Sequence, residues 1–427
     1  MKIKKVLAVE GYGGFFYDDQ VAIRRGAVKD GDFYRGEPAT RGFRSVRMPA
    51  MTLGIGLVTD AGFVAWGDGM SVQYSAAAGR DPVFDPAEQS AVVDEVVWPW
   101  LVDNELTTFR AAAEALAALR VDGIPLHTGL QYGLTQALLS AVARSDGLTM
   151  AEVICHDYDF PLVLAPVPIY CQSGDARQVN IDRMIMKRVE NLPHGLINNN
   201  EKFGRRGEVF LEFLQWVANR VVELGGDGYR PTLHFDLYGS AGYAFGLSIP
   251  PIVEYLTLVE KAAHPFRIRI ESPADFGSRD AQMEGSAALI SALESRGCGV
   301  KIVADEWCNT LEDIELFVKA RAAHTIQIKM PDLGGLQESI GAVRICHGGG
   351  VEAFLGGSCT ETDLSARASV HVAVATQADF QLAKPGMGVD EGLMIVQNEQ
   401  IRLLAELAAR RTSRGRFGDL ARAMTPR

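Results

Sequence analysis

The sequence predicts an α/β protein: a modified (β/α)8 barrel preceded by an N-terminal α+β domain. From Pro166 onward, short β-branched runs alternate with longer helical ones. Such alternation indicates a parallel sheet, and about eight strands indicate closure into a barrel. Three of the runs end on an acid: Asp236 in TLHFDLYG, Glu271 in RIRIESP and Asp305 in VKIVADEW. Their separation matches the roughly 30–40 residues of successive βα units. Before residue 160 the alternation is absent.

In chain order, VLAVEG, the mixed loop GAVKDGDFYRGEPATRGF and TLGIGLVTDAGFVAWGD read as short antiparallel strands, with a turn at Asp60-Ala61-Gly62. TTFRAAAEALAALR and TGLQYGLTQALLSAVAR follow as helices, rich in Ala and Leu with polar residues at helical spacing. Residues 1–160 thus form the α+β domain. In residues 161–410 the expected strands are VPIYCQ, MIMKRV, TLHFDL, RIRIE, VKIVAD, TIQIKM, EAFLGG and DFQLAK. Helices such as VFLEFLQWVANRVVEL and LEDIELFVKARAA lie between them. An open doubly wound sheet is the main competitor, but no GxGxxG follows the first strand. GYGGFF and PGMGVDEG read as tight turns in preference to phosphate cradles. No solenoid-type repeat is present. Residues 411–427 form an arginine-rich tail, expected to be frayed or loosely docked.

The chain of 427 residues is too long for one ordinary domain. A formal charge of −11 argues against a nucleic-acid surface. No apolar stretch approaches a membrane span, and Glu10 interrupts the N-terminal apolar run where a signal peptide would need continuity. Six cysteines without a CxxC pair read as reduced thiols. A cytoplasmic protein is expected.

Parallel strands aim their C-terminal ends at one face of a barrel, so the three acids converge. Three hard oxygen ligands seat Mg²⁺ while leaving positions for substrate oxygens. Within TLHFDL, His234 and Asp236 point inward, opposite Leu233, Phe235 and Leu237. Arg269 and Glu271, and Gln327 and Lys329, alternate likewise. An antiparallel sheet with one wet face alternates too, but helices separate these strands. Lys329 either pairs with an acid such as Asp332 or acts as a general base, because a nearby cation and burial both disfavour its ammonium. A hydrogen α to a carboxylate is so weakly acidic that its removal calls for a metal-stabilised enediolate.

His194 in ENLPHGLINNN sits in a loop after the second expected strand, where structural and catalytic roles are both open. Gln172 ends the first strand, where an amide holds a charged group without adding charge. Ser358 and Cys359 in GGSCTET close the seventh, and residue chemistry alone reads them as small residues beside a glycine turn.

VQYSAAAGRDP, PVPIYCQSGD, LPHGLINN, HFDLYG, RIES, VADEWCNT, QIKMPDLGG, GGSCTET and LAKPGMGVDEGLMIV together resemble the methylaspartate ammonia-lyase family of the enolase superfamily. The resemblance runs in order to about residue 405. It implies a modified TIM (β/α)8 barrel under an N-terminal capping domain, a homodimer, Mg²⁺, and K⁺ as a further activator. It also implies reversible elimination of ammonia from threo-3-methyl-L-aspartate to give mesaconate. By position, Asp236, Glu271 and Asp305 bind Mg²⁺. Lys329 takes the C3 proton of the (2S,3S) substrate, and His194 serves the other C3 epimer from the opposite side. His194 and Gln327 hold the metal-bound carboxylate. Gln73 and Gln172 grip the amine and the distal carboxylate, with Ser358 and the Cys359 backbone, and Leu382 lines the methyl pocket. The chain departs from the family pattern at Ser358 (normally Thr), Phe354 (normally Tyr) and Tyr170 (normally Phe), which bears on the choice between 3-methylaspartate, aspartate and N-substituted analogues.

Two other readings are acid-sugar dehydration or amino-acid epimerisation on the same framework, and a non-catalytic homologue. Gln73 and the VQYS segment suit an amino diacid better than a polyol. Retention of Asp236, Glu271, Asp305 and Lys329 opposes a merely structural role, since buried charge is costly.

Overall fold

The computed structural model describes the backbone of residues 1–195 and 197–423, and the side chains of these except 103 and 412–423. Three antiparallel strands, β1 (Ile3–Asp18), β2 (Arg47–Thr59) and β3 (Val64–Gly69), form the N-terminal sheet with β2 in the centre. The turn expected at Asp60-Ala61-Gly62 links β2 to β3, and Gly62 there has φ +83°. Leu53, Ile55 and Leu57 alternate along β2 and are fully buried, as a strand with one face on a core requires. Helix α1 (Thr128–Ser145) lies across this sheet. Its approach depends on glycine: a Cβ on Gly133 would stand 2.4 Å from the Gly69 nitrogen.

Eight strands then close a wholly parallel barrel. They are β4 (Ile169–Tyr170), β5 (Asn191–His194), β6 (Thr232–Asp236), β7 (Ile268–Glu271), β8 (Lys301–Ala304), β9 (Thr325–Ile328), β10 (Glu352–Leu355) and β11 (Phe380–Leu382). They neighbour one another in sequence order, and β4 closes on β11. The barrel interior is filled by stacked rings, Tyr170 on His234 at 4.4 Å and Phe354 on Phe380 at 4.5 Å.

Two local expectations need correction. MIMKRV is not the second strand: Met184–Met186 end the helix Arg177–Met186, and residues 187–189 are a connection. Ile181, Met184 and Ile185 are buried at helical spacing, and that period overrides the β-branched look of the run. The strand is Asn191–His194, so His194 ends it and does not lie in a loop behind it. GYGGFF is not a turn either, because it lies within β1. A Cβ on Gly13 would be 2.0 Å from the Thr360 carbonyl oxygen, and the Gly14 N–H donates to the Glu361 carbonyl at 2.9 Å. These glycines dock the N-terminal sheet onto the barrel mouth.

The last helix is Val389–Ala423. The expectation of a loose tail falls on residues whose side chains, from 412 on, lie outside the described ones. All six cysteines are buried and free. Among the described residues, no helix is long and apolar enough to cross a membrane.

Candidate active site

The C-terminal ends of the barrel strands face a cavity roofed by the segment after β3. Asp236 and Glu271 are the last residues of β6 and β7, and Asp305 follows β8 by one residue. Their side chains are 2%, 0% and 4% exposed. Burial pushes the Glu271 carboxyl well up, and the neighbouring charges of Asp236 and Asp305 add to it. Asp236 is also raised by burial, against the pull of His194, whose Nε2 lies 3.5 Å from Asp236 Oδ2.

Ligand atoms of His194, Asp236 and Glu271 all lie within 4.8 Å of one another. Asp305 belongs to a second group. Its Oδ2 and Oδ1 accept Lys329 Nζ at 2.5 and 2.7 Å, and Arg80 Nη2 stands 3.4 Å from Oδ1. Crowded, buried oxygen donors with excess negative charge fit a hard divalent cation such as Mg²⁺. Burial is the largest influence on the Lys329 ammonium and pulls it down, but the carboxylates of Asp305, Glu306 and Asp332 together outweigh it, so the net direction is up.

The structure brings all the other site residues to the same cavity. Gln327 on β9 donates Nε2 to Glu271 Oε1 at 2.5 Å, while buried His234 contacts Glu271 Oε2 at 2.8 Å. Burial drives the His234 imidazole well below its ordinary value. Gln172 lies just past β4. Ser358 Oγ accepts the Gln73 N–H at 3.2 Å, and the Cys359 thiol donates to Gln73 Oε1 at 3.5 Å. Burial pushes that thiol up to about 12, which removes thiolate chemistry from the site. Leu382, Phe354 and the Tyr170 ring form the apolar wall. The Tyr170 hydroxyl donates to the His234 carbonyl at 3.3 Å and is thereby committed to the barrel interior.

Lys329 follows β9 and His194 ends β5, strands that are four steps apart either way around the eight-stranded ring. The two side chains therefore enter the cavity from opposite sides. His194 also has φ +65°, and Tyr238, Ser272 and Trp307 behind the three acids have φ of +49°, +44° and +65°. Left-handed backbone at non-glycine residues is strained, and it gathers here at the mouths of four successive strands.

The sequence profile described as the C-terminus of methylaspartate ammonia-lyase matches residues 161–409, and that described as its N-terminus matches residues 1–159. The chain belongs to the methylaspartate ammonia-lyase family. It is an enzyme, and a lyase. Methylaspartate ammonia-lyase 2 of Carboxydothermus hydrogenoformans is 48% identical, covering 96% of this chain and 99% of that one. Methylaspartate ammonia-lyase of Clostridium tetanomorphum is 44% identical, covering 96% and 100%. A crystal structure of the Citrobacter amalonaticus methylaspartate ammonia-lyase containing (2S,3S)-3-methylaspartic acid superposes with TM-score 0.94 at 44% identity, covering 96% of this chain and 100% of that one. A Mg complex of the Clostridium tetanomorphum enzyme gives TM-score 0.91 at 44% identity, with the same coverage. Muconate lactonizing enzyme from Pseudomonas fluorescens, 16% identical with TM-score 0.60 over 87% of this chain and 84% of that one, shares the fold alone.

Sequence reasoning missed Arg80 and Glu306, which line the cavity, and Asp18, which bonds the Gln73 amide. Arg80 bonds Asp332 at 2.7 Å besides facing Asp305. Glu306 accepts the Ser272 hydroxyl at 2.5 Å and lines the cavity. Nothing local distinguishes these residues, because each acquires its role from a partner distant in sequence or across a turn.

Proposed function

We propose that this chain is a Mg²⁺-dependent ammonia-lyase that reversibly eliminates ammonia from threo-3-methyl-L-aspartate to give mesaconate. The observation that carries the reading is the opposition of Lys329 and His194 across a ring of buried acids. A proton on either face of the substrate C3 then meets one nitrogen base. Asp236, Glu271 and Asp305 would hold the Mg²⁺. When bound, the ion supplies Lewis-acid withdrawal of the negative charge that develops on the adjoining carboxylate.

The protein groups do the rest. Lys329 takes the C3 proton of the (2S,3S) isomer, and His194 takes that of the other C3 epimer. Lys329 becomes a base only once Asp305 no longer serves as its counter-ion, since that contact is what holds its proton. His194 and Gln327 hold the carboxylate next to the proton being removed. Gln73 takes the amine, and Gln172, the Ser358 hydroxyl and the Cys359 backbone hold the remaining polar groups. Leu382 and Phe354 receive the C3 methyl on the apolar wall. The cap over the mouth keeps water from the site. A homodimer, cytoplasmic residence and activation by K⁺ complete the proposal.

The test is ultraviolet absorbance of the conjugated diacid, with purified protein, Mg²⁺, K⁺ and (2S,3S)-3-methylaspartate. A rise abolished by a chelator supports the reading. A flat trace from folded, Mg²⁺-binding protein overturns the substrate assignment.

A further inference from the structure

Gln73 enters the cavity from the cap, and its two amide atoms are chemically opposite: Nε2 only donates and Oε1 only accepts. Which one faces the substrate is decided outside the cavity. Gln73 Nε2 lies 2.8 Å from Asp18 Oδ2, and an ionised carboxylate only accepts. The amide nitrogen is therefore turned to Asp18 and the carbonyl oxygen to the other side, where it receives the Cys359 thiol.

Asp18 is well fixed for this task. It is 1% exposed, and its own N–H donates to the Gln73 carbonyl at 2.8 Å. Arg47, its cross-strand partner, grips both carboxylate oxygens, with Nε at 2.6 Å from Oδ1 and Nη2 at 2.8 Å from Oδ2. That guanidinium lies against the rings of Phe15, Phe16 and Tyr34 at 5.3, 4.9 and 5.0 Å. A bidentate, stacked arginine allows the carboxylate little freedom.

We infer that Asp18, braced by Arg47, is a positioning residue that holds the Gln73 carbonyl oxygen toward the substrate and so makes this position a receptor for an N–H-bearing amine. The inference rests on the assignment of Gln73 to the amine under the proposed function. With the amide reversed, Gln73 would offer a donor, which suits a carboxylate and not ammonia. Asp18 touches no substrate atom. Its effect is confined to the partner that Gln73 meets.

The experiment runs the reaction in reverse with the Mg²⁺-loaded enzyme, adding ammonia to mesaconate and measuring the two KM values separately. Asp18→Asn supplies both a donor and an acceptor to Gln73 and releases the amide to flip. The expected result is a KM for ammonia raised about tenfold, with the KM for mesaconate within about twofold. Arg47→Lys, which keeps the charge but loses the bidentate grip, should shift ammonia in the same direction by less. That variant carries the test if Asp18→Asn does not fold. In a Gln73→Ala background the Asp18→Asn effect should vanish. An equal rise in both KM values, an unchanged KM for ammonia, or an effect that persists without Gln73 would overturn the inference. Wild-type enzyme that does not combine ammonia with mesaconate would instead remove the proposed function, and this inference with it.

Discussion

Lys329 and His194 stand on diametrically opposed strands of the barrel, four steps apart in each direction. Between them lie Asp236, Glu271 and Asp305, carried by the three strands that separate β5 from β9 on one side. The acids therefore line one half of the mouth and the bases flank it. Under the proposed function, substrate bound to that acidic arc would present opposite faces to Lys329 and His194, and one framework would serve both C3 epimers.

The two buried acid groups differ in their partners, and metal titration should show it. Asp236→Asn and Glu271→Gln should each weaken Mg²⁺ binding at least as much as the ~10–100-fold typical of disturbing a ligand's outer partners. Asp305→Asn should also weaken it, and it additionally strips Lys329 of its counter-ion. Isothermal titration of Mg²⁺ into each variant checks this, and an unaltered isotherm dismisses that residue as a ligand.

The loop bearing Ser358 and Cys359 hangs on a fully buried ion pair. Lys384 Nζ lies 3.0 Å from Glu361 Oε2, which also accepts the Ser358 N–H at 2.8 Å, and Tyr132 on α1 donates to Glu361 Oε1 at 2.6 Å. Lys384→Met leaves a buried carboxylate without its cation. Denaturant unfolding should show a loss of about 3–5 kcal/mol. A loss below about 1 kcal/mol would mean that the pair is not what holds the loop.

Glu399 gives a pH dependence of known sign. His371 Nε2 at 3.4 Å and Arg402 at 3.1 Å hold its carboxyl down at about 2, against burial. A carboxyl depressed in the folded state stabilises above its unfolded value near 4.5 and loses that contribution as pH falls toward 2. The melting-temperature gap between wild type and Glu399→Gln should be full above about pH 5 and shrink steadily below about 4.5. A gap that is constant across this window would contradict it.

The acids were legible because each closes a β-like run, and strand alternation already placed His234 and Asp236 on one face. The strand Asn191–His194 was not. It is four residues long, contains Pro193, and follows a helix whose last turn is as apolar as a strand. The cap's share of the site was hidden for another reason. Asp18 meets Gln73, and Arg80 meets Asp305 and Asp332, only once the sheet is seated on the barrel. Gly13 and Gly14 make that seating possible, yet in sequence they look like any turn glycines. Patterns within one element were readable; contacts between elements far apart in sequence were not.

The two-base arrangement is most directly tested by a crossed assay of Lys329→Ala and His194→Ala against both C3 epimers of 3-methylaspartate. Lys329→Ala should lose the (2S,3S) reaction by ~10³-fold or more while retaining much of the (2S,3R) rate and its Mg²⁺ binding. His194→Ala should show the reverse preference, with a smaller loss on (2S,3S) from its part in holding the carboxylate. Equal losses on both epimers in both variants would contradict opposed bases.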